Sequence, residues 1–256
     1  MYKLTYGDMA KIQPLFDGWD ETLIWACLQG HMGSAWADSP ENPKSAQIIL
    51  GDFCYFAGEP NADLIRNIPS DFVPEDIIMV PQNDSWSRLI EEEYGERAKL
   101  DTRFAFKKEP HRFDVQALQA NVERLPEEFD LKIIGAEECT LLENADFTKG
   151  LFNQFMGYND FIERGLGFVV TYNGLPVSVA SSYSMFTGGI EIEIDTKEEF
   201  RRRGLARACV SNLILECLSR GLYPSWDAAN KMSADLAESL GYIADGTYPA
   251  YIIAVD

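Results

Sequence analysis

The chain has 256 residues, enough for one large domain or two small ones, and its 46% hydrophobic and 12% aromatic content excludes a disordered protein. Lysine and arginine number 22 against 41 aspartates and glutamates, a formal net charge of −19. A field of that sign repels nucleic acid and anionic membranes and favours cationic small molecules or basic peptides, so neither nucleic acid nor membrane is an expected partner.

The first half alternates short strand-like and helix-like pieces. TLIWACLQGHMGSAWAD reads as two strands around Gly33-Ser34, and AQIILGDFCYFAG as a hairpin turning at Gly51-Asp52. Asp76 to Val80 is a short apolar strand. NDSWSRLIEEEYGERAK is a helix with Trp86, Leu89, Ile90 and Tyr94 on one face and Asp84 or Ser85 as its N-cap. RFAFK reads as a strand, and FDVQALQANVERL as a helix starting at Asp114. LPEEFD, Leu125 to Asp130, marks a boundary through its proline and charge, which divides the chain into 1–128, an α/β lobe, and 129–256.

The second half is more sharply patterned. FDLKII is a strand, followed by helical or irregular pieces through YNDFIERG. GFVVTYNGLPVSVASSY gives two apolar runs around Asn173-Gly174, a strong hairpin signal. GGIEIEIDT alternates strictly, with Ile190, Ile192 and Ile194 on one face and Glu191, Glu193 and Asp195 on the other. RRRGLARACVSNLILECLSRG is a helix stopping at Gly221, YPSWDA a short strand, NKMSADLAESLGY a helix ending at Gly241, and YIADGTYPAYIIAV a closing hairpin around Asp245-Gly246.

The five scattered cysteines contain no CxxC pair, which argues against a disulfide framework or a zinc site. His31 and His111 are the only histidines, too few for most metal or Ser-His-Asp schemes, so no metal is expected. MYKLTYGDMAK lacks the apolar core of a signal peptide, and no apolar run is long enough to span a bilayer. A cytoplasmic location is the expectation. Nothing in the composition sets an oligomeric state.

The run RRRGLA, Arg201 to Ala206, is unusual in so acidic a chain. It follows the alternating strand and opens a helix, whose N-terminus presents unpaired N–H groups and the positive end of its dipole. Gly204 lets the backbone approach a phosphate, and Ala206 is nearly as small. Cations at that position oppose the dipole by about 0.3–1 kcal/mol each, a conflict that a bound anion removes. The competing reading is a solvated charged run that happens to precede a glycine. No Gly-Lys-Ser/Thr follows, so this is not a Walker A loop, and the three-glycine dinucleotide pattern is absent.

Arg201, Gly204 and Ala206 match the pattern Gln/Arg-x-x-Gly-x-Gly/Ala, and the chain here resembles the acyl-CoA pyrophosphate loop of the GNAT superfamily of acyltransferases. The resemblance continues through WDAAN, ending at Asn230, and a helix closing on Leu240-Gly241-Tyr242. It covers roughly Leu131 to the C-terminus. Within the superfamily the whole chain looks most like the antibiotic-resistance type related to the zwittermicin A acetyltransferase.

The resemblance implies an α+β fold: a central mixed sheet with helices on both faces, split at a V where acetyl-CoA enters, with a degenerate copy of the fold as one form the first lobe could take. Residues 129–256 would be the acetyltransferase domain. Backbone N–H groups of Arg203, Gly204, Leu205, Ala206 and Arg207 would cradle the pyrophosphate, with Arg201 and Arg202 adding charge. Ile194, Asp195 and Thr196 would pair with the pantetheine arm, and Asn230, equally suited as a helix N-cap, would contact it from the next strand. A small, cationic amine is the implied acceptor, acetylated directly in a ternary complex. Glu191 or Glu193 is the expected base. The family's tyrosine acid, seven residues after the Asn, is replaced by Ala237, leaving Ser233 or Tyr242 as substitutes. That replacement also admits a non-catalytic acyl-CoA-binding module or sensor. Cys209 falls at core spacing rather than at the site of an acyl-cysteine nucleophile.

Overall fold

A computed structural model describes residues 1–109 and 113–255, so His111 lies outside the described residues. The elements in chain order begin with β1 (Tyr2–Lys3), α1 (Met9–Ile12), α2 (Thr22–Leu28), β2 (Ser34–Ala37), β3 (Ser45–Leu50), β4 (Phe53–Gly58), α3 (Ala62–Ile65), β5 (Asp76–Pro81), α4 (Asp84–Tyr94) and β6 (Lys99–Phe106). They continue with α5 (Val115–Glu123), β7 (Phe129–Ile133), α6 (Ala136–Glu143), α7 (Tyr158–Arg164), β8 (Gly167–Tyr172), β9 (Leu175–Phe186), β10 (Gly189–Thr196), α8 (Leu205–Ser219), β11 (Tyr223–Ser225), α9 (Lys231–Ser239) and β12 (Ala244–Ala254). The chain divides into two compact units, Met1–Arg103 with Thr247–Asp256, and Phe104–Gly246. The sequence-based division stands at 128/129, whereas the compact units change over before α5. The physical reason is that Leu118 of α5 shares a core with α8, and Asn121 Nδ2 donates to Ser211 Oγ at 3.1 Å.

In the first unit the sheet runs β1-β2-β3-β4-β5-β12-β6. Trp86 and Ile90 of α4 are fully buried against Phe56, Ile77, Met79 and Ile253, as the helical spacing predicts, although the N-cap is Asn83 rather than Asp84 or Ser85. Two expectations are corrected here. Thr22–Leu28, read as a strand, is helix α2, capped by the Glu21 side chain. Five of its seven residues are buried, and a short apolar run buried on most sides carries no period that separates helix from strand. The expected hairpin at Asp245-Gly246 is a single strand, β12. Gly246 uses its positive φ of 92° to redirect the strand instead of reversing it, and the strand then pairs antiparallel to β5 from Tyr251↔Met79 to Ala254↔Asp76.

The second unit carries a mixed sheet in the order β11-β10-β9-β8-β7, antiparallel except for the parallel β10–β11 pair. The β8–β9 hairpin turns where expected, with Asn173 and Gly174 at φ 51° and 77°. Helices α5 and α8 cover the apolar face, burying Ile190 and Ile192 of β10 under Leu205, Cys209, Val210 and Leu213 of α8. Helices α6 and α7 lie on the opposite face. A Cβ placed on Gly167 of β8 would meet Phe161 of α7 at 3.1 Å, so that helix sits directly on the sheet. This is the expected α+β architecture: a mixed sheet flanked by helices on both faces.

Candidate active site

The run from β10 to α8 builds the mouth expected for RRRGLA. Gly204 is the N-cap of α8 in the left-handed conformation, φ 81° and ψ 0°, and no side chain caps the helix. The first turn of α8 contains no acidic residue. A Cβ at Gly204 would meet no protein atom within 4 Å, and Arg201 to Gly204 are all exposed, so the approach over the start of α8 is open at Gly204. Arg202 is one of two non-glycine residues with positive φ among those described, at 63°, and such left-handed turns direct successive N–H groups toward one point. These donors fit a pyrophosphate. The side chains of Arg201 and Arg203 brace the loop: Arg201 Nε donates to Thr196 O at 3.1 Å and Arg203 to Glu199 O at 3.3 Å, its guanidinium lying 5.0 Å from the centre of the Phe200 ring.

The strand feeding this mouth has an open edge. The β10–β11 pairing covers only Gly189–Glu191, whereas β9 accompanies β10 from Gly189 to Thr196. From Ile192 onward the outer edge of β10 therefore has no strand partner among the described residues, which is the V in the sheet. Lys197 N–H donates to Val177 O at 3.0 Å, and in antiparallel pairing alternate residues face the same neighbour. Asp195 and Glu193 accordingly turn their backbone groups to β9, and Ile194 and Thr196 turn theirs outward. Thr196 N–H is bonded by the Asp195 carboxylate at 2.7 Å, so of the three strand-end residues Ile194 presents the outward N–H. Burial pushes the Asp195 carboxyl above the usual carboxylate range, against the opposing pull of Thr196 N–H and the Arg201 charge.

The acidic side chains sit on the face covered by α6 and α7. Glu191 is buried, 4% exposed, while Glu193 and Asp195 are half-buried. Strand register places Glu191 between Ser184 of β9 and Ser225 of β11, and Glu193 beside Ser181. All three serines are fully buried, and their hydroxyls find no hydrogen-bond partner among the described residues. Sequence reading missed these serines. The signal available was a strand, VSVASSYSMF, spending four positions on serine, a residue without strong strand preference.

The remaining candidates are also placed. Asn230 caps α9, its Oδ1 accepting from Ser233 N–H at 3.0 Å. Ser233 Oγ accepts from the Trp226 indole at 3.1 Å, which leaves its own O–H free to donate. Tyr242 is core: it donates to Pro224 O at 2.6 Å among the rings of Phe106, Phe113 and Trp226, and burial raises its phenol. Ala237 is fully buried. Cys209 donates to Phe168 O at 3.1 Å, and burial pushes its thiol far up, which removes it as a nucleophile.

An open strand edge running into an uncapped helix mouth, beside a row of carboxylates, defines a GNAT-type acetyltransferase. The chain belongs to the GNAT acetyltransferase family, whose profile matches residues 13–251. It is 43% identical to a GCN5-related N-acetyltransferase-like protein from Streptococcus suis 89/1591, over 96% of this chain and 98% of that one, with a TM-score of 0.90. It is 26% identical over 263 residues to an uncharacterised N-acetyltransferase of Bacillus subtilis (strain 168), YdfB, covering 98% of each chain. A tandem GNAT protein from the clavulanic acid biosynthesis pathway shares the fold at 9% identity, 98% and 97% coverage and a TM-score of 0.60.

Proposed function

We propose that this enzyme moves the acetyl group of acetyl-CoA to the amine of a small cationic acceptor, by direct transfer in a ternary complex. The observation that carries the reading is the continuity of two open features: the outer edge of β10 from Ile192, and the uncapped mouth of α8 at Gly204. Backbone N–H groups from Arg203 to Arg207 hold the pyrophosphate, with Arg201 bracing the loop and Arg202 adding exposed charge. The pantetheine arm lies along Ile194 to Thr196, and Asn230, having given its Oδ1 to the cap, offers its Nδ2 to the arm.

When bound, acetyl-CoA supplies the thioester carbonyl. The outward N–H of Ile194 polarises that carbonyl, a kind of donor worth about 10²–10³-fold in rate. The row Glu191, Glu193 and Asp195 attracts the acceptor's ammonium. The ammonium first gives one proton to Glu193 at the rim, which passes it to solvent, and as the freed amine nitrogen bonds to the carbonyl carbon its second proton passes to Glu191. As the carbon–sulfur bond breaks, Ser233 Oγ–H, oriented by Trp226, protonates the departing sulfur and regains a proton from solvent. We place the enzyme with the zwittermicin A resistance type, acting in the cytoplasm, and read its first half as a degenerate copy of the fold, a reading supported by the likeness to a tandem GNAT protein.

Calorimetric titration with CoA and with acetyl-CoA, followed by thiol release across a panel of small amines, tests the reading. Micromolar binding and turnover are expected, and Glu191→Gln is expected to lower kcat by about 10²–10⁴-fold at unchanged acetyl-CoA affinity. Tight acetyl-CoA binding with no thiol release from any amine would leave an acyl-CoA-binding module instead.

A further inference from the structure

The face of the second unit's sheet beneath α6 and α7 is lined in cross-strand rows. Phe186, Gly189 and Tyr223 form one row, and Ser184, Glu191 and Ser225 the next. Beyond them lie Ser181 and Glu193, where β11 no longer follows. Directly opposed residues in a sheet point to the same side with their Cβ atoms roughly 5 Å apart, so Glu191 has a hydroxyl on each flank. The Phe186 ring lies over Gly189, where a Cβ would meet its Cζ at 2.3 Å, and so closes one end of the row. The other end runs along the sheet to half-buried Glu193, where β10 loses its β11 partner.

Ser184 and Ser225 are 0% exposed, and their hydroxyls have no hydrogen-bond partner among the described residues. A buried hydroxyl left unsatisfied loses its hydration without recompense, which makes two of them beside one carboxylate an expensive floor for an apolar core and a suitable one for a polar ligand. A register bulge puts Ser184 there. Glu191 pairs with Ser184 and Ile192 with Ser182, so Tyr183 is the extra residue, and in a register without the bulge Tyr183 itself would stand opposite Glu191.

We propose that Ser184 and Ser225 recognise a hydroxyl of the acceptor, and that the preferred acceptor is an amine carrying a hydroxyl on the neighbouring carbon. This deepens the proposed function and rests on its assignment of Glu191 to the amine. The amine nitrogen lies against Glu191, its neighbouring hydroxyl against one of the two flanking serines, and the carbon skeleton against the Phe186 ring. Binding energy spent on the hydroxyl orients the nitrogen toward the splayed edge.

The test compares 2-aminoethanol with ethylamine, and 2-aminocyclohexanol with cyclohexylamine, by kcat/KM and by calorimetric binding to the CoA-loaded enzyme. The wild type is expected to favour each hydroxylated amine at least 100-fold. One of Ser184→Ala and Ser225→Ala, together with the double variant, is expected to cut that preference at least 10-fold through KM, with kinetics on the plain amines kept within threefold. Ser184→Thr and Ser225→Thr, which retain the hydroxyl, are expected to retain most of the preference. Equal use of both members of each pair by the wild type would overturn the proposal, as would serine variants that depress both members alike, or failure of the CoA-loaded enzyme to bind either amino alcohol. Glu191→Gln separates the two readings: full activity in that variant would overturn its role as base, while leaving the serine-dependent preference measurable.

Discussion

Helices α7 and α8 start in the same way and are completed differently. Each follows a glycine with positive φ, Gly157 at 89° and Gly204 at 81°, and neither has a side-chain N-cap. Three residues on, α7 carries Asp160, whose carboxylate accepts from Met156 N–H at 3.0 Å and pairs with Arg164 at 2.6 Å. The corresponding residue of α8 is Arg207. One helix thus contains the anion its dipole calls for, and the other excludes anions of its own while gathering three arginines ahead of it. An open helix mouth signals a ligand only when the chain has declined to fill it.

The comparison can be broken or sharpened by exchange. Gly204→Glu places a carboxylate in the proposed phosphate seat and is expected to weaken acetyl-CoA binding by about 100-fold or more. Gly204→Asn, which tolerates the left-handed backbone without adding charge, should bind measurably better in the same calorimeter. Equal affinities for the two variants would mean that the mouth is not the seat. Arg207→Asp gives α8 the arrangement of α7. Its melting temperature should rise, by the equivalent of roughly 0.5 kcal/mol, while acetyl-CoA affinity drops about tenfold.

In the other direction, Asp160→Asn should destabilise the protein by about 1 kcal/mol at neutral pH and leave acetyl-CoA affinity unchanged. The Arg164 hydrogen bond and the Met156 N–H hold the Asp160 carboxyl below its usual range. Its contribution is therefore complete above the unfolded value of about 3.9 and is lost as the pH falls through the folded value, so the gap between wild type and variant should close in strong acid. The smallest effect is expected at α5, where the Asp114 carboxylate caps Gln116 and Ala117 N–H at 3.0 and 3.1 Å. Asp114→Ala should cost about 0.5–1 kcal/mol in denaturant unfolding, with no change in ligand affinity.

What could be read from the chain beforehand follows how local each feature is. The mouth of α8 is encoded in consecutive residues, Arg201 to Ala206, and the alternation of Ile190, Ile192 and Ile194 places Glu191 and Glu193 without reference to any other strand. The serine row is encoded nowhere in sequence order. Ser184 reaches it through a bulge that breaks the alternation of β9, and Ser225 through a parallel strand that follows a whole helix. Asp245-Gly246 misleads because the dipeptide states only that a positive φ is available. Whether the chain uses it to reverse or to continue is decided by β5, which offers β12 a pairing edge far away in sequence. Thr22–Leu28 misleads for the opposite reason: its burial on most sides erases the period that would have named it a helix.

The insertion of the second unit between β6 and the last ten residues sets an order of events during synthesis. Strand β5, with Ile77 and Met79 fully buried in the finished sheet, must wait for β12 until the whole of the second unit has been made. At roughly 5–20 residues per second that interval is on the order of ten seconds, during which an apolar strand edge stands unpaired. The second unit, whose sheet uses only its own strands, can close within that time. The part of the protein translated first is therefore the part completed last, and its early life depends on keeping one strand edge away from its neighbours.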